Sequence, residues 1–226
     1  MALLRRTFGS FMQAPVPHTI LNQTFWLSAQ RAVYWEAEKA LILSDLHLGK
    51  TGHFRKAGIA VPQAVFKEDL QRLVALIQYF KPEQVIAVGD LFHSKANQEL
   101  DLFKRWRADF AQLPFKLVKG NHDILSNDWY ADANLAVTEG VLKMGNIHFS
   151  HEDCSDAAGV FTFCGHLHPG VVINGMGKQT LRLPCFYFTP RHCILPAFSR
   201  FTGTANVQPK KEDVVFAIAA DVLIKF

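Results

Sequence analysis

A short apolar run ends in two polar side chains in the segment Leu41-Ile42-Leu43-Ser44-Asp45-Leu46-His47. Residues 41–44 predict a buried strand, because the run is short and apolar. Asp45 and His47 follow at a spacing of two, and side chains at that spacing lie on the same side of an extended chain. A carboxylate and an imidazole on one side of a strand end can converge on a metal ion.

The same arrangement recurs along the chain. Predicted strands at residues 84–88, 115–118, 147–150 and 160–164 end at four further polar groups, which are Gly89-Asp90, Gly120-Asn121-His122-Asp123, His151 and Gly165-His166-Leu167-His168. Ligands of open α/β sheets bind beyond the carboxyl ends of the strands, so we expect these groups to meet in one site. Their oxygen and imidazole atoms suit Mn²⁺, Fe or Zn²⁺ better than a cysteine-rich structural zinc site.

The spacing of apolar residues predicts an α/β fold. Apolar residues recur every three or four positions between Pro62 and Phe80, and again between Asn97 and Leu113, as expected of amphipathic helices that alternate with strands. After about residue 145 this helical periodicity stops, and short strands are predicted instead. The second half of the chain should therefore be largely β.

Length and composition indicate one globular domain. The chain has 226 residues, of which 49% are hydrophobic and 19% charged, with a formal net charge of +4. This composition excludes disordered and coiled-coil classes, and no apolar run approaches the roughly 20 residues of a membrane span. We expect a single domain over residues 1–226 with a loose tail at 1–17. The four cysteines predict free thiols in a reducing compartment, and hence a soluble, cytoplasmic protein with no membrane partner.

At these polar groups the sequence resembles the calcineurin-like metallophosphoesterase superfamily, whose pattern of D-x-H, G-D, G-N-H-[DE], a lone His and G-H-x-H is matched over residues 45–168. The resemblance implies a four-layer α/β/β/α sandwich with a dinuclear metal site between the sheets. It implies one ion on Asp45, His47, Asp90 and His168, and another on Asp90, Asn121, His151 and His166, with Asp90 bridging. It also implies that His122 is a general acid or transition-state stabiliser, oriented by Asp123.

Two further segments resemble narrower branches of this superfamily. Gly89-Asp90-Leu91-Phe92-His93 is similar to the SbcD nuclease branch, which implies that His93 helps to position the scissile phosphodiester. Residues 44–50 and 54–59 are similar to the ligase-associated phosphoesterases of the PdeM type. That similarity implies that Lys50, Arg55 and Lys56 contact phosphates of a DNA substrate, and that the protein works with a DNA ligase and a helicase.

The resulting prediction is a phosphodiesterase or nuclease of DNA repair that uses two divalent ions, with Mn²⁺ favoured over Fe and Zn²⁺. One alternative is a phosphodiesterase for small molecules such as cyclic nucleotides. Another is a non-catalytic scaffold, which the complete set of ligand positions argues against. The residues after His168 predict strands and no capping domain, which weakens the case for cleavage of duplex DNA. Oligomeric state and cleavage polarity stay open at this stage.

Overall fold

The computed structural model describes residues 13–50, 64–93, 98–152, 154, 158–174 and 180–226. Within them, a first sheet has seven strands in the order β1 (Val16–Ile20), β2 (Gln23–Ser28), β3 (Ala32–Trp35), β4 (Ala40–Leu43), β5 (Gln84–Val88), β6 (Phe115–Val118) and β7 (Ala136–Thr138). Strands β1 to β4 pair antiparallel, and β4 to β7 pair parallel. The helical segments between the parallel strands provide the crossovers that parallel pairing requires.

A second sheet contains the other nine described strands. It comprises β8 (Val141–Met144), β9 (Ile147–Ser150), β10 (Phe161–Cys164), β11 (Pro169–Asn174), β12 (Thr180–Phe188), β13 (His192–Ile194), β14 (Ala205–Asn206), β15 (Val214–Ala219) and β16 (Val222–Lys225). The main order is β14-β11-β12-β13-β10-β9-β8, and β15 joins β12 to the edge strand β16. Strands β9, β10 and β13 are parallel, whereas most other pairs are antiparallel.

Three helices are described, α1 (Ala64–Phe80), α2 (Gln98–Asp109) and α3 (Asn127–Asp132). The apolar stripes of α1 and α2 pack on one face of the first sheet, where Leu73, Leu76 and Phe103 are fully buried together with strand residues such as Leu43 and Ala87. The six-residue helix α3 is capped by Ser126, whose side chain accepts a hydrogen bond from the Trp129 backbone. No described helix is long and apolar enough to cross a membrane.

The other face of the first sheet packs against the second sheet. This inner core is strongly aromatic, with Phe25, Trp35, Phe149, Phe163 and Phe186 almost entirely buried. Strand side chains alternate between faces, so the inner residues of β10 belong to this core while its outer residues face away from it. The predicted α/β fold with two sheets is confirmed, and in the described residues the helices lie against the first sheet.

The strands and helices that the sequence predicts are found in the structure with corrections at their ends, whereas strands such as β7, β8 and β16 were not predicted. The predicted tail to residue 17 is too long, since β1 begins at Val16 and Pro17 pairs with Trp26. Helix α2 ends at Asp109, before the predicted Leu113. The prediction of four free thiols is wrong for Cys154 and Cys164, which form a disulfide, whereas Cys185 and Cys193 are free and buried. The single-domain assignment for residues 1–226 stays a prediction.

Candidate metal centre and active site

The loops after β4 and β5 run side by side beyond the sheet. The Asp45 backbone N–H donates to the Gly89 carbonyl at 3.2 Å, and the His47 N–H donates to the Asp90 carbonyl at 2.9 Å. A single parallel bridge between Leu48 and Phe92 prolongs the alignment. The first two predicted motifs are therefore adjacent because their strands are parallel neighbours.

The second sheet contributes its own two motifs to the same place. His151 follows β9 and Gly165 follows β10, and the Gly165 N–H donates to the His151 carbonyl at 3.1 Å. The link between the sheets is direct, since the His166 N–H lies 3.2 Å from a carboxylate oxygen of Asp45. Residues from the two halves of the chain thus share one site.

The backbone turns sharply at most of the predicted metal ligands. Five of the seven have positive φ, namely Asp45 (54°), His47 (49°), Asp90 (46°), His166 (66°) and His168 (50°). Residues with a Cβ rarely adopt this region, which costs about 1–3 kcal/mol each and persists where the surroundings enforce it. Such strain concentrated in one loop cluster is typical of a functional site.

Gly165 permits the close approach of the two sheets. A Cβ added there would lie 2.7 Å from the Val88 carbonyl oxygen and 2.9 Å from Oδ2 of Asp45, which are closer than real Cβ contacts. The motif therefore needs glycine for space, since the neighbouring atoms include backbone that cannot move aside.

A first group of metal-ligand atoms comes from Asp45, His47 and His168, whose ligand atoms lie within 4.8 Å of one another. Nε2 of His168 is 3.2 Å from Oδ1 of Asp45 and 3.2 Å from Nε2 of His47. Asp45 is completely buried, and its carboxylate also accepts a hydrogen bond from the Ser44 hydroxyl.

A second group comes from Asp90, His151 and His166. Nε2 of His151 lies 3.3 Å from Oδ1 of Asp90 and 3.3 Å from Oδ1 of Asn121, so the predicted amide ligand is also in place. Nδ1 of His151 is 3.2 Å from the Val88 carbonyl, which accepts a hydrogen bond when that nitrogen carries the proton and leaves Nε2 free to bind a metal.

The electrostatics of the two groups are dominated by burial and by each other. Burial lowers the pKa of His47 to about 3, and the charge of Lys50 adds to this effect. Burial alone would raise the pKa of Asp90, but the hydrogen bond and charge of His151 outweigh it and lower the pKa to about 2. Burial opposes protonation of His151, yet Asp90 raises the pKa of that imidazole to about 9.

These donors fit divalent cations. The Nε2 atoms of His47 and His168 face each other at 3.2 Å, where two neutral imidazoles either form one hydrogen bond through an Nε2–H or bind a cation through both lone pairs. The carboxylates of Asp45 and Asp90 are buried and supply the negative charge that a divalent ion requires. Oxygen and imidazole donors without thiolates match Mn²⁺, Fe and Zn²⁺.

His122 and His93 form a pair at the mouth of the site. Their ring centroids are 4.3 Å apart, and the His47 ring lies 5.5 Å from His93 and 5.6 Å from His122. The His122 side chain is 42% exposed, and its Nε2 is 4.0 Å from Oδ2 of Asp90. The backbone N–H of His122 donates to Oδ1 of Asp90 at 2.9 Å, which fixes the residue while its imidazole is exposed enough to meet a substrate.

The Asp123 carboxylate contacts the backbone of both loops that carry the histidine pair. The Asp123 carboxylate is fully buried and accepts hydrogen bonds from the backbone N–H groups of Phe92 and Gly120, each at 2.9 Å. Burial raises the pKa of Asp123 to about 6 although these amides lower it. Asp123 therefore fixes the backbone of the loops that carry His93 and His122, and its role in orienting the His122 imidazole stays a prediction.

One of the three predicted substrate-binding cations can be placed. Lys50 is half-buried beside the first group, where burial lowers its pKa and the charges of Asp90 and Asp45 act in the opposite direction. Arg55 and Lys56 lie outside the described residues.

A supporting segment after β13 was missed by sequence reasoning. The Phe198 N–H donates to the Ser44 carbonyl at 2.7 Å, and the Ser199 N–H donates to the Asp45 carbonyl at 3.2 Å. Arg72 of helix α1 holds this segment through the Phe198 carbonyl, with its guanidinium 4.1 Å from the Phe198 ring centroid. The sequence contained one signal for this segment, which is the charged Arg72 within the apolar stripe of α1.

The disulfide joins the two second-sheet motifs. Cys154 lies shortly after His151, and Cys164 directly precedes Gly165. Their Cα atoms are 5.8 Å apart.

Fold and site together define a class of α/β proteins in which two adjoining groups of candidate metal ligands lie at the strand ends of two packed sheets. A family model described as calcineurin-like phosphoesterase matches residues 39–188. The chain belongs to this family and is a metal-dependent phosphoesterase.

Two solved structures are similar to this chain. The nuclease MPE of Pseudomonas putida is 28% identical and superimposes with a TM-score of 0.79, covering 93% of this chain and 100% of the other. YfcE, a phosphoesterase from E. coli, is 12% identical with a TM-score of 0.43 over 83% of this chain and 97% of the other. The comparison with curated protein sequences found no match.

Proposed function

We propose that this chain hydrolyses phosphodiester bonds in DNA with two divalent ions. The first ion would be held by Asp45, His47, Asp90 and His168, and the second by Asp90, Asn121, His151 and His166. The observation that carries the proposal is the placement of a half-exposed His122 4.0 Å from the carboxylate shared by both sets. A phosphate bound there meets the metal-ligand groups and a free imidazole together.

The two ions, with Mn²⁺ favoured over Fe or Zn²⁺, would supply activation of water and neutralisation of phosphate charge. The chain's own contribution is to hold the ligands rigidly. Asp45 is anchored by Ser44 and by the His166 backbone, and Asp90 by the His122 backbone. A site fixed in this way needs little reorganisation when charge develops on the phosphate.

His122 is suited to protonate the leaving oxygen. Its backbone is fixed by Asp90, and its ring packs against His93, so Nε2 keeps a defined direction while remaining exposed. General acids of this kind contribute about 10²–10⁴-fold to the rate. His93 stands beside it and would help to position the scissile phosphodiester.

DNA is favoured over small diesters by two observations. The P. putida protein that covers 93% of this chain is a nuclease. Lys50 adds a cation beside the first ligand group, and such cations contact the phosphates of a nucleic-acid backbone. We extend the proposal to a cytoplasmic role in DNA repair beside a DNA ligase and a helicase, on the resemblance of the first motif and the basic segment after it.

The proposed chemistry is tested with Mn²⁺-loaded protein and bis-p-nitrophenyl phosphate. His122→Ala should lower kcat by at least about 10²-fold while the protein still binds two metal ions per chain. His148→Ala on β9 is the matched control and should retain wild-type turnover. Absence of phosphodiester hydrolysis by the wild type would overturn the proposal, and loss of a metal from His122→Ala would make this residue a ligand.

The proposed substrate is tested with single-stranded and nicked oligonucleotides. Alanine at Lys50, Arg55 and Lys56 should weaken DNA cleavage and reduce its dependence on salt. Lys143→Ala, an exposed lysine on β8, serves as the control. If the wild type cleaves bis-p-nitrophenyl phosphate but no DNA, the enzyme is a small-molecule diesterase.

A further inference from the structure

A cavity of about 520 Å³ opens beside the second ligand group. Asn121 and His151 line it together with Ile124, Gly140 and rim side chains from the ends of β6, β7 and β9. Its volume is within the range of about 300–1,000 Å³ typical of small-molecule sites. Asn121 and His151, which belong to the predicted motifs, form what we call the inner wall of the cavity. The predicted motifs give no role to the other residues that line it.

The inner wall connects the cavity to the reacting centre. Nε2 of His151 is 3.3 Å from Oδ1 of Asn121 and 3.3 Å from Oδ1 of Asp90. The cavity and the second ligand group thus share His151 and Asn121, so a substituent on a phosphate held at this centre lies next to the cavity. The cavity is placed to accept one of the two groups that a phosphodiester carries.

Ile124 gives the cavity an apolar wall. Its side chain is 52% exposed, although it stands next to the buried Asp123 and its N–H donates to the His122 carbonyl at 3.0 Å. The lining is open at Gly140, since nothing lies within 4 Å of a Cβ built there. An exposed branched side chain in the lining of a cavity offers a contact surface for a flat, weakly polar group such as a nucleobase.

The rim charges favour an uncharged group. Nζ of Lys119 is 2.8 Å from Oε1 of Glu139, so its charge is already matched, and Glu152 adds a second exposed carboxylate. A second phosphate would meet a net negative rim here, whereas sugar hydroxyls and base N–H groups can donate to these carboxylates. The cation that could receive a flanking phosphate, Lys50, stands beside the other ligand group.

We infer that this cavity is a nucleoside subsite, which binds the sugar and base on one side of the scissile phosphate, with Ile124 contacting the base. The inference rests on the proposed phosphodiesterase function. It assigns a specificity-determining role to a residue outside the metal-ligand motifs.

The kinetic experiment compares two diesters with the same leaving group, thymidine 5′-p-nitrophenyl phosphate and methyl p-nitrophenyl phosphate. Wild-type protein should prefer the thymidine ester by at least about tenfold in kcat/KM, because the base fills an apolar contact. Ile124→Ala should lose most of that preference because KM for the thymidine ester rises. For the methyl ester, kcat/KM of this variant should change by less than about twofold. Ile224→Ala, an isoleucine 40% exposed on the edge strand β16, should leave both values unchanged.

A binding experiment tests the subsite without relying on catalysis. In metal-free protein with ¹³C-labelled isoleucine methyl groups, added thymidine should shift the Ile124 methyl signal and leave the Ile224 signal in place. Three results would overturn the inference: equal losses of kcat/KM on both esters in Ile124→Ala, no preference of the wild type for the thymidine ester, or an unshifted Ile124 signal. In each of these cases hydrolysis of the esters still upholds the proposed function. Absence of hydrolysis of either ester would instead reject the proposed function.

Discussion

The backbone N–H of Phe92 donates a hydrogen bond of 2.9 Å to the buried carboxylate of Asp123. This bond joins the loop that carries His93 to the turn that carries His122. The second carboxylate oxygen accepts from the Gly120 N–H, also at 2.9 Å, and closes the same turn. The pairing of the two histidines, whose ring centroids are 4.3 Å apart, depends on this backbone connection.

Asp123→Asn should destabilise the fold and misplace the histidine pair. The asparagine amide would point an NH₂ group at one of the two backbone donors, which leaves a buried polar group unsatisfied at a cost of about 1–3 kcal/mol. Urea denaturation should show this loss, and kcat should fall while two metals per chain remain bound. Asp132→Asn, which breaks only the exposed 3.4 Å pair with Lys104, should cost less than about 1 kcal/mol. Unchanged stability of Asp123→Asn would show that the two hydrogen bonds do not hold these loops.

Metal removal should lower the melting temperature. An ion bound only by the folded state stabilises it by about 2.7 kcal/mol at a free concentration of one hundred times Kd. Calorimetry with excess chelator and then with excess Mn²⁺ should show the difference, and His168→Ala or His151→Ala should each reduce the metal content from two ions to one. His148→Ala should keep both ions. A chelator-insensitive transition would contradict the two-ion assignment.

Gly165→Ala should weaken both folding and metal binding. The new Cβ would meet the Val88 carbonyl oxygen at 2.7 Å, so the first and second sheets must separate at the site. Overpacking of this kind costs about 1–3 kcal/mol. Gly203→Ala is the matched control, because nothing lies within 4 Å of its Cβ position. Denaturation curves and metal content check both variants, and equal behaviour of the two would refute the proposed close approach.

The ion pair of Asp69 and Arg72 should stabilise the fold at the segment that supports Asp45. Nη2 of Arg72 lies 3.1 Å from Oδ1 of Asp69, and both side chains are buried. Arg72→Met leaves the carboxylate buried without its partner and should cost about 3–5 kcal/mol. Adding Asp69→Asn should restore part of the stability, as a double-mutant cycle would show. Lys39→Met, at the exposed pair with Glu83, should have no measurable effect.

His18 should make unfolding pH-dependent away from the metal-ligand groups. Its ring centroid is 4.3 Å from that of Phe188, and burial, assisted by the charge of Lys225, lowers its pKa. Between the lowered folded pKa and the unfolded value of about 6.5, the unfolded chain binds more protons, so stability is full above 6.5 and declines as pH falls. The ring is partly solvated, so the decline should be less than about 1 kcal/mol.

His18→Phe keeps the aromatic packing and removes the titration. The difference in unfolding free energy between wild type and variant, measured from pH 7 to pH 4.5, should therefore change in favour of the variant as pH falls. A difference that is independent of pH would contradict the role assigned to His18.

Most of the candidate site could be predicted from the sequence because its candidate ligands occur in short motifs of neighbouring residues. Asp-x-His and His-x-His place two ligands at one strand end, and glycine beside Asp90, Asn121 and His166 marks the turns. The strands at 84–88, 115–118 and 147–150 have the same bounds in the structure, because short apolar runs between turn residues leave little freedom. Strands such as β7 and β16 were missed, since their exposed residues carry no alternating apolar pattern.

The sequence by itself determined which chemical groups stand at which strand ends, and therefore the candidate ligands and the alternation of strands and helices in the first half of the chain. Only the tertiary structure decided how the two halves meet. The His166 N–H on Asp45, the two backbone bonds of Asp123 and the buried Arg72 all join residues that are far apart in the chain or whose partners are backbone atoms. Such contacts leave no local pattern, because backbone donors are the same at every residue and long-range neighbours depend on how the sheets pack.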